Sequence, residues 1–175
     1  VLKSAKDSSK KWDFLYVATS EPHKNHRRLL EAWRILAEEG VLPTLALTLS
    51  KSEIQEMGLS SFFENTKCKV ELIGKISTQE VLDSYSQARF YIQPSFFESF
   101  GLPLLEAQSA GLPIVAPELD YVRDIVEPVQ TFDPMSPVSM ARAVKRAMGV
   151  GEVGRVHPSS TAEFLAEIFR MNLAK

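Results

Sequence analysis

The stretch 89–117 (RFYIQPSFFESFGLPLLEAQSAGLPIVAP) limits the possible folds more than any other part of this chain. It contains two short apolar runs, 90–93 and 112–116, each followed by a proline, which is typical of buried strands. Between them, residues 102–110 have the composition of a helix, with Pro103 in the first turn and a glycine at the stop. Strand, helix and strand at this spacing form a βαβ unit, so the two strands should be parallel.

The loop 95–101 should lie at the carboxyl end of a strand and at the amino end of the following helix. Ligands bind at that edge of open parallel sheets, and helix amino termini attract anions. Gly101 would let a ligand approach the backbone closely. Glu98 and Glu106 flank this glycine, with seven residues between them. We therefore predict that this loop binds an anionic ligand.

The rest of the chain alternates between strand and helix patterns. Strands are predicted at residues 12–18, 45–49, 69–73 and 129–132, and helices at 26–39, 52–57, 77–88, 121–126 and 136–148. Asn25 is a plausible cap for the first of these helices, and Ser77 with Glu80 forms a capping box for the helix 77–88. The residues that this second helix is expected to bury are Val81, Leu82, Tyr85 and Ala88. This alternation predicts an α/β fold, a doubly wound parallel sheet covered by helices on both faces.

Composition excludes some classes of function. A net charge of −2 over 175 residues gives no electrostatic reason to expect nucleic acid or an anionic membrane as partner. No apolar run approaches the length of a transmembrane helix. The single cysteine, Cys68, excludes an internal disulfide and indicates a reducing compartment.

The segment 94–117 resembles the nucleotide-sugar site of retaining glycosyltransferases of family 4, also called group 1. Their pattern is Pro-Ser, two residues, Glu-Gly/Ser-Phe-Gly, a helix with a second Glu at the eighth step, then Ala-x-x-x-Gly-x-Pro-Val/Ile. The residues that match are Pro94, Ser95, Glu98, Ser99, Phe100, Gly101, Glu106, Ala107, Gly111, Pro113 and Ile114. The resemblance implies a Rossmann-like domain, the carboxyl-terminal half of a two-domain GT-B enzyme.

The resemblance also implies roles for individual residues. Glu98 would contact the donor sugar and Glu106 the ribose hydroxyls, while Lys24 in the first loop would bind the phosphates. The remaining donor contacts are expected at Ser99, Phe100, Gly101, Leu102, Gly74 and Ile76. Glu98 and Lys24 are thus the expected catalytic residues, and no metal ion or other cofactor is implied.

The basic first loop leaves two interpretations open. Cations at a helix start are unfavourable by roughly 0.3–1 kcal/mol each, so they mark either an anion site or a solvated turn. We favour the solvated turn for Arg27 and Arg28, and phosphate binding for Lys24. The family usually has an arginine where this chain has Thr19, so a second phosphate cation would come from Arg27 or from the partner domain. The three phenylalanines of the loop 95–101 are expected to pin it to the core.

The predicted function is transfer of a sugar from a nucleoside-diphosphate sugar to an acceptor with retention, in bacterial cell-surface polysaccharide or glycolipid synthesis. Residues 12–150 would bind the donor, 1–11 would be a polar leader or linker, and 151–175 a linker and carboxyl-terminal helix. An amino-terminal domain outside these residues would bind the acceptor, so this chain alone should be inactive. Two alternatives are a GT-B nucleotide-sugar epimerase and a noncatalytic sugar-nucleotide-binding subunit of a split transferase. The expected location is the cytoplasm, with any contact at the inner face of the membrane made through the other domain.

Overall fold

The computed structural model describes residues 9–64 and 66–150, in which strands and helices alternate. The strands are β1 (Trp12–Tyr16), β2 (Thr44–Leu47), β3 (Lys69–Leu72), β4 (Ala88–Ile92), β5 (Ile114–Pro117) and β6 (Gln130–Phe132). The helices are α1 (His26–Glu38), α2 (Lys51–Glu56), α3 (Thr78–Gln87), α4 (Leu102–Ser109), α5 (Asp120–Arg123) and α6 (Pro137–Met148). Short 3-10 turns cover Pro22–Lys24 and Ser60–Phe63. The predicted carboxyl-terminal helix and residues 1–8 lie outside the described residues.

The six strands form one parallel sheet in the order β3-β2-β1-β4-β5-β6. Leu15 of β1 pairs with Ala46 of β2 on one side and with Tyr91 of β4 on the other. The chain therefore adds β2 and β3 on one side of β1 and then crosses back to add β4, β5 and β6 on the other side. In such sheets ligands bind at the carboxyl ends of the strands, near the point where the strand order reverses, which here lies between β1 and β4. The prediction of a doubly wound, Rossmann-like sheet is confirmed.

The core lies on both faces of the two central strands. Four of the five residues of β1 and four of the five of β4 are buried, as a sheet covered on both faces requires. Phe14 of β1 contacts Trp33 of α1 edge-on, with ring centroids 5.5 Å apart, and stacks on Phe90 of β4 at 5.1 Å. Each fully buried side chain of this size stabilises the fold by roughly 1.5–3 kcal/mol, so the sheet centre is a rigid platform for its loops.

Two local predictions were wrong. Asn25 stands at the position before α1, but its side chain makes no capping bond to that helix, because its backbone is left-handed (φ 60°) and its amide is buried elsewhere. Leu82 of α3, predicted to be buried, is 47% exposed, since α3 turns Tyr85 rather than Leu82 into the core.

Candidate functional site

The loops after β1 and β4 meet at the carboxyl edge of the sheet, and one buried amide holds them there. Asn25 is 4% exposed, and its Nδ2 donates to Pro94 O at 3.0 Å and to Pro134 O at 2.9 Å. The N–H of Phe96 donates to His23 O at 2.9 Å, which adds a backbone link between the two loops. Asparagine tolerates the left-handed conformation better than most residues, so it can both turn the chain and tie three segments together.

Lys24 and Glu98, predicted separately from different loops, form an ion pair. Lys24 Nζ lies 2.9 Å from Glu98 Oε1 and 2.8 Å from Oε2. The two side chains are only 15% and 9% exposed. The hydroxyl of Tyr16 donates to Lys24 O at 2.8 Å, which fixes the lysine backbone. The structure thus brings the two expected catalytic residues together, and each neutralises the other.

A second group holds the Glu98 carboxylate from the core side. Gln93 Nε2 donates to Glu98 Oε1 at 2.7 Å and to Ser95 Oγ at 3.0 Å. Gln93 Oε1 accepts a hydrogen bond of 2.7 Å from the Tyr91 hydroxyl. Sequence reasoning missed both Gln93 and Tyr91. The available signal was an amide side chain at the end of a buried strand, since a buried amide needs partners.

Tyrosine hydroxyls surround Ser95, whose side chain is fully buried at the base of the loop. Tyr16 and Ser95 share a hydrogen bond of 2.9 Å between their hydroxyls, and Tyr121 donates to Ser95 O at 2.8 Å. Burial raises the pKa of Tyr16 and of Tyr91 well above the ordinary tyrosine value. These hydroxyls therefore stay protonated and act as fixed donors beneath the ion pair.

Glu106 lies in the second turn of α4, because this helix begins at Leu102. Its Oε2 accepts a hydrogen bond of 2.8 Å from the hydroxyl of Tyr85, which is fully buried. Burial raises the pKa of Tyr85, and the bond to Glu106 raises it further, so the tyrosine remains the donor. An ionised carboxylate offers about four lone-pair sites, so Glu106 keeps acceptor capacity for a ligand. Tyr85 was predicted as a core residue but not as a partner of Glu106.

Gly101 caps α4 in the left-handed conformation, with φ 61°. A Cβ at Gly101 would meet only the end of the Ile125 side chain, which can rotate away, so it is the left-handed backbone that favours glycine here. The backbone N–H groups of residues 99–102 donate to no acceptor within the described parts of the chain. Pro103 follows them and has no N–H, so these groups form one set of free donors at the helix start.

The expectation that the loop phenylalanines pin it to the core was wrong for two of the three. Phe97 is 58% exposed and Phe100 is 79% exposed, whereas Phe96 is partly buried beside the Arg28 guanidinium. Phe97 stacks on His23, with ring centroids 4.4 Å apart. Buried hydrogen bonds of Gln93 and Ser95 anchor this loop, so its aromatic rings are free to face outward.

The other cations of the first loop have structural partners. Arg27 is exposed and donates to Met57 O at 3.3 Å, and Arg28 donates to Asn25 Oδ1 at 3.4 Å. His26 is 3% exposed and its Nε2 lies 2.7 Å from Thr19 O, which assigns the ring proton to Nε2. Its Nδ1 is buried without a hydrogen-bond partner, and burial lowers the pKa of this histidine. The hydroxyl of Thr19 donates to the carboxylate of Glu21.

Gly74 and Ile76 follow β3 at the same edge, two strands away from β1. Gly74 turns the chain with φ 74°, and its N–H donates to Leu49 O at 3.1 Å. No hydrogen bond or ion pair of the described residues joins this turn to Lys24, Glu98 or Glu106. The turn therefore lies at the rim of the site rather than in its polar centre.

The described residues contain neither a cluster of metal ligands nor a helix suited to cross a membrane. Within 9–64 and 66–150, no three histidine, cysteine, aspartate or glutamate side chains come close enough to hold a metal ion. No helix in that part of the chain combines the length and the apolar composition that a membrane span needs.

Comparison with known proteins identifies the family of this chain. The family model described as glycosyl transferases group 1 matches residues 2–152. O-antigen chain mannosyltransferase B of Escherichia coli is 31% identical over 114 residues, covering 64% of this chain and 30% of that protein. The serotype-specific mannosyltransferase WbdA of Escherichia coli is 29% identical over 154 residues, covering 84% of this chain and 18% of that protein. This chain thus spans less than a third of the length of these curated relatives.

Two solved structures show the same fold. Anabaena HepE, in complex with UDP and glucose, superposes with a TM-score of 0.57 at 19% identity, over 81% of this chain and 39% of that chain. TarM of S. aureus, in a complex that contains UDP, superposes with a TM-score of 0.58 at 16% identity, over 80% of this chain and 29% of that chain. Because the family model covers most of the chain, this chain belongs to the glycosyl transferases group 1 family.

Proposed function

We propose that this chain is the donor-binding, carboxyl-terminal domain of a retaining GT-B glycosyltransferase that builds a cell-surface polysaccharide. The observation that carries the proposal is the meeting of Lys24 and Glu98 at the carboxyl edge of the sheet, where the loops after β1 and β4 come together. The names of its relatives as O-antigen and serotype-specific mannosyltransferases support the polysaccharide context and make mannose the first sugar to test.

Lys24 and the free N–H groups of residues 99–102 supply the electrostatic part of the reaction. In glycosyl transfer the bond from the anomeric carbon to the diphosphate breaks, and negative charge develops on the departing oxygen. A cation and fixed N–H dipoles in a partly buried site stabilise that charge. Lys24 has three N–H donors on a flexible stem, so it can turn from Glu98 toward a phosphate. This chemistry requires no metal ion.

The two glutamates would contact different parts of the donor. Glu98, next to Lys24, would accept from the sugar hydroxyls once the lysine engages the phosphates. Glu106, held by Tyr85, would accept from the ribose hydroxyls. The turn at Gly74 and Ile76 would line the base from the rim of the site. The acceptor oxygen and its proton would be handled by an amino-terminal half, which completes the cleft.

The proposed donor domain is residues 12–150, with 1–11 as a leader or linker and 151–175 as a linker and a last helix. The last two residues of the proposed linker already contact the domain, since Lys10 Nζ donates to Ser86 O at 2.7 Å and Lys11 N donates to Gln87 O at 2.8 Å. The protein would act in the cytoplasm, and any membrane contact would belong to the other half.

Titration calorimetry with a panel of nucleoside-diphosphate sugars and their nucleoside diphosphates tests the proposal. GDP-mannose with GDP and UDP-glucose with UDP are the first two pairs, each measured with and without a chelator. We expect one pair to bind, to bind equally well with the chelator, and to show no sugar transfer by this chain alone. Absence of binding across the panel, or a strict Mg²⁺ requirement, would contradict the proposed site.

A further inference from the structure

We infer that Gln93 is a positioning residue that sets how the Glu98 carboxylate meets the donor sugar, and that Tyr91 fixes Gln93 in turn. The inference rests on the proposed function, since it takes Glu98 as the residue that contacts the sugar. Neither Gln93 nor Tyr91 belongs to the sequence pattern that this chain shares with its family.

Gln93 lies at the end of the sheet, directly after β4 and before the loop 95–101. Its N–H donates to Val115 O at 2.9 Å, so its backbone still pairs with β5 beyond the last residue of β4. Its side chain is only 1% exposed, in a strand whose other inward residues are apolar or aromatic. An amide is retained in such a place only if its donors and acceptor are satisfied.

The partners of Gln93 allow one orientation of its amide. The Glu98 carboxylate can only accept, so the atom that lies 2.7 Å from it must be the NH₂ group. The remaining carbonyl oxygen faces the Tyr91 hydroxyl at 2.7 Å, and that hydroxyl must donate. The hydrogen bonds therefore run in one direction, from Tyr91 through Gln93 to Glu98, and a flipped amide would set its carbonyl oxygen against the Glu98 carboxylate and lose that bond.

Gln93 distinguishes the two oxygens of Glu98, whereas Lys24 does not. Lys24 Nζ lies within 2.9 Å of both oxygens, but Gln93 contacts Oε1 alone. When Lys24 turns toward the phosphates, Gln93 is the partner that remains on the carboxylate. It would hold Oε1 and leave Oε2 to accept from a sugar hydroxyl. The contribution of Gln93 should therefore concern the sugar and not the nucleotide.

The experiment compares the affinity for a nucleoside-diphosphate sugar with the affinity for its nucleoside diphosphate, using whichever pair, GDP-mannose with GDP or UDP-glucose with UDP, the wild-type chain binds. Gln93→Leu should reduce sugar-nucleotide affinity about tenfold relative to the nucleoside diphosphate, since a hydrogen bond to a charged group is lost. Tyr91→Phe keeps the ring and removes the hydroxyl. It should lower the ratio of sugar-nucleotide affinity to nucleoside-diphosphate affinity about threefold.

Trp33→Phe is the matched control. It removes another buried hydrogen bond, from Trp33 Nε1 to Pro43 O at 3.0 Å, at the opposite edge of the sheet. Its ratio of the two affinities should equal that of the wild type, and urea unfolding of all variants reports any general damage. If Gln93→Leu does not fold, Tyr91→Phe carries the test.

Three outcomes would overturn the inference. Equal loss of both ligands would make Gln93 a structural residue only. An unchanged ratio in both variants, with wild-type binding intact, would overturn the inference and leave the proposed function standing. Failure of the wild type to bind any pair of the panel would remove the proposed function, and the inference with it.

Discussion

Two ion pairs join the flanks of β1 and β4, one at each edge of the sheet, and their geometry is nearly the same. At the amino edge, Arg89 Nη1 lies 2.7 Å from Asp13 Oδ1; at the carboxyl edge, Lys24 Nζ lies 2.8 Å from Glu98 Oε2. The side chains are 14% and 20% exposed in the first pair, and 15% and 9% exposed in the second. Distance and burial alone do not separate a structural ion pair from a functional site.

What differs is the surroundings of each pair. Asp13 also accepts from the N–H and the hydroxyl of Thr44, at 2.9 and 3.0 Å, so strand residues surround its carboxylate. Burial alone would raise the pKa of Asp13, but the bonds from Thr44 and Arg89 lower it, and the carboxylate stays charged. The carboxyl-edge pair stands on loops, beside exposed Phe97 and the free N–H groups of residues 99–102. An ion pair becomes a candidate site when its neighbours still have unused donors and acceptors.

The largest effect is expected from breaking the amino-edge pair. Arg89→Met leaves Asp13 partly buried and without its cation, so the free energy of unfolding should fall by about 2–3 kcal/mol, below the value for a fully buried pair because water reaches both side chains. Urea unfolding measures this change, and Asp13→Asn with Arg89→Met should recover part of it. Nucleotide affinity should stay at the wild-type value; a parallel loss of affinity would erase the distinction between the two edges.

Lys24→Met tests the other edge. Affinity for a nucleoside diphosphate should fall by about 2 kcal/mol, or roughly 30-fold, because a charged donor to the phosphates is lost. The bare nucleoside should bind almost as before. Stability should also fall, since Glu98 is left buried without its cation, although Gln93 still donates to its carboxylate. Calorimetric titration of both ligands checks the prediction, and an equal loss for the two would return Lys24 to a structural role.

A smaller effect is expected at Glu106. Tyr85→Phe keeps the ring that packs 5.8 Å from Tyr91 but removes the hydroxyl that orients the carboxylate. Affinity for the ribonucleotide should fall by about 1 kcal/mol, or roughly fivefold, while the 2′-deoxynucleotide should change much less. In a Glu106→Gln background the same substitution should have no further effect, because the residues act through one contact. A uniform loss for both nucleotides would show that Tyr85 supports only the fold.

These residues also show how much of the fold and of the candidate site can be predicted from the sequence. Apolar runs, stopping prolines and helix signals predict the strands, because their cause is local. The family pattern predicts one site that contains Glu98, Glu106 and Lys24, and the structure places Lys24 and Glu98 together at the carboxyl edge of the sheet. The Lys24–Glu98 pair, 74 positions apart, and the Asn25 amide, which reaches Pro134 109 positions away, depend on how separate loops pack. Local rules misassigned Asn25 for that reason, and they overlooked Gln93 because its partner belongs to a turn that forms only in the folded protein.

The last and smallest effect is a pH dependence that separates the two edges. Burial lowers the pKa of His26 below its ordinary value of 6.5, so the folded chain keeps this ring neutral where the unfolded chain takes up a proton. Stability should therefore be complete above about pH 6.5 and fall as the pH decreases below it, because the unfolded state then binds more protons. A charged ring would also bring a second N–H, at Nδ1, to a place where the described residues offer it no acceptor.

The amino-edge pair loses its contribution in a different window. The pKa of Asp13 is lowered, so its contribution is present above the ordinary value of 3.8 and disappears only as the pH falls through the lower folded value. Between about pH 7.5 and about pH 5, the urea midpoint should thus respond to the protonation of His26 and not to that of Asp13. His26→Gln should flatten the decline in this range, whereas His23→Gln, three positions away and stacked on Phe97, should leave it unchanged. A decline that persists in His26→Gln would place the pH sensitivity elsewhere and break the contrast between the two edges.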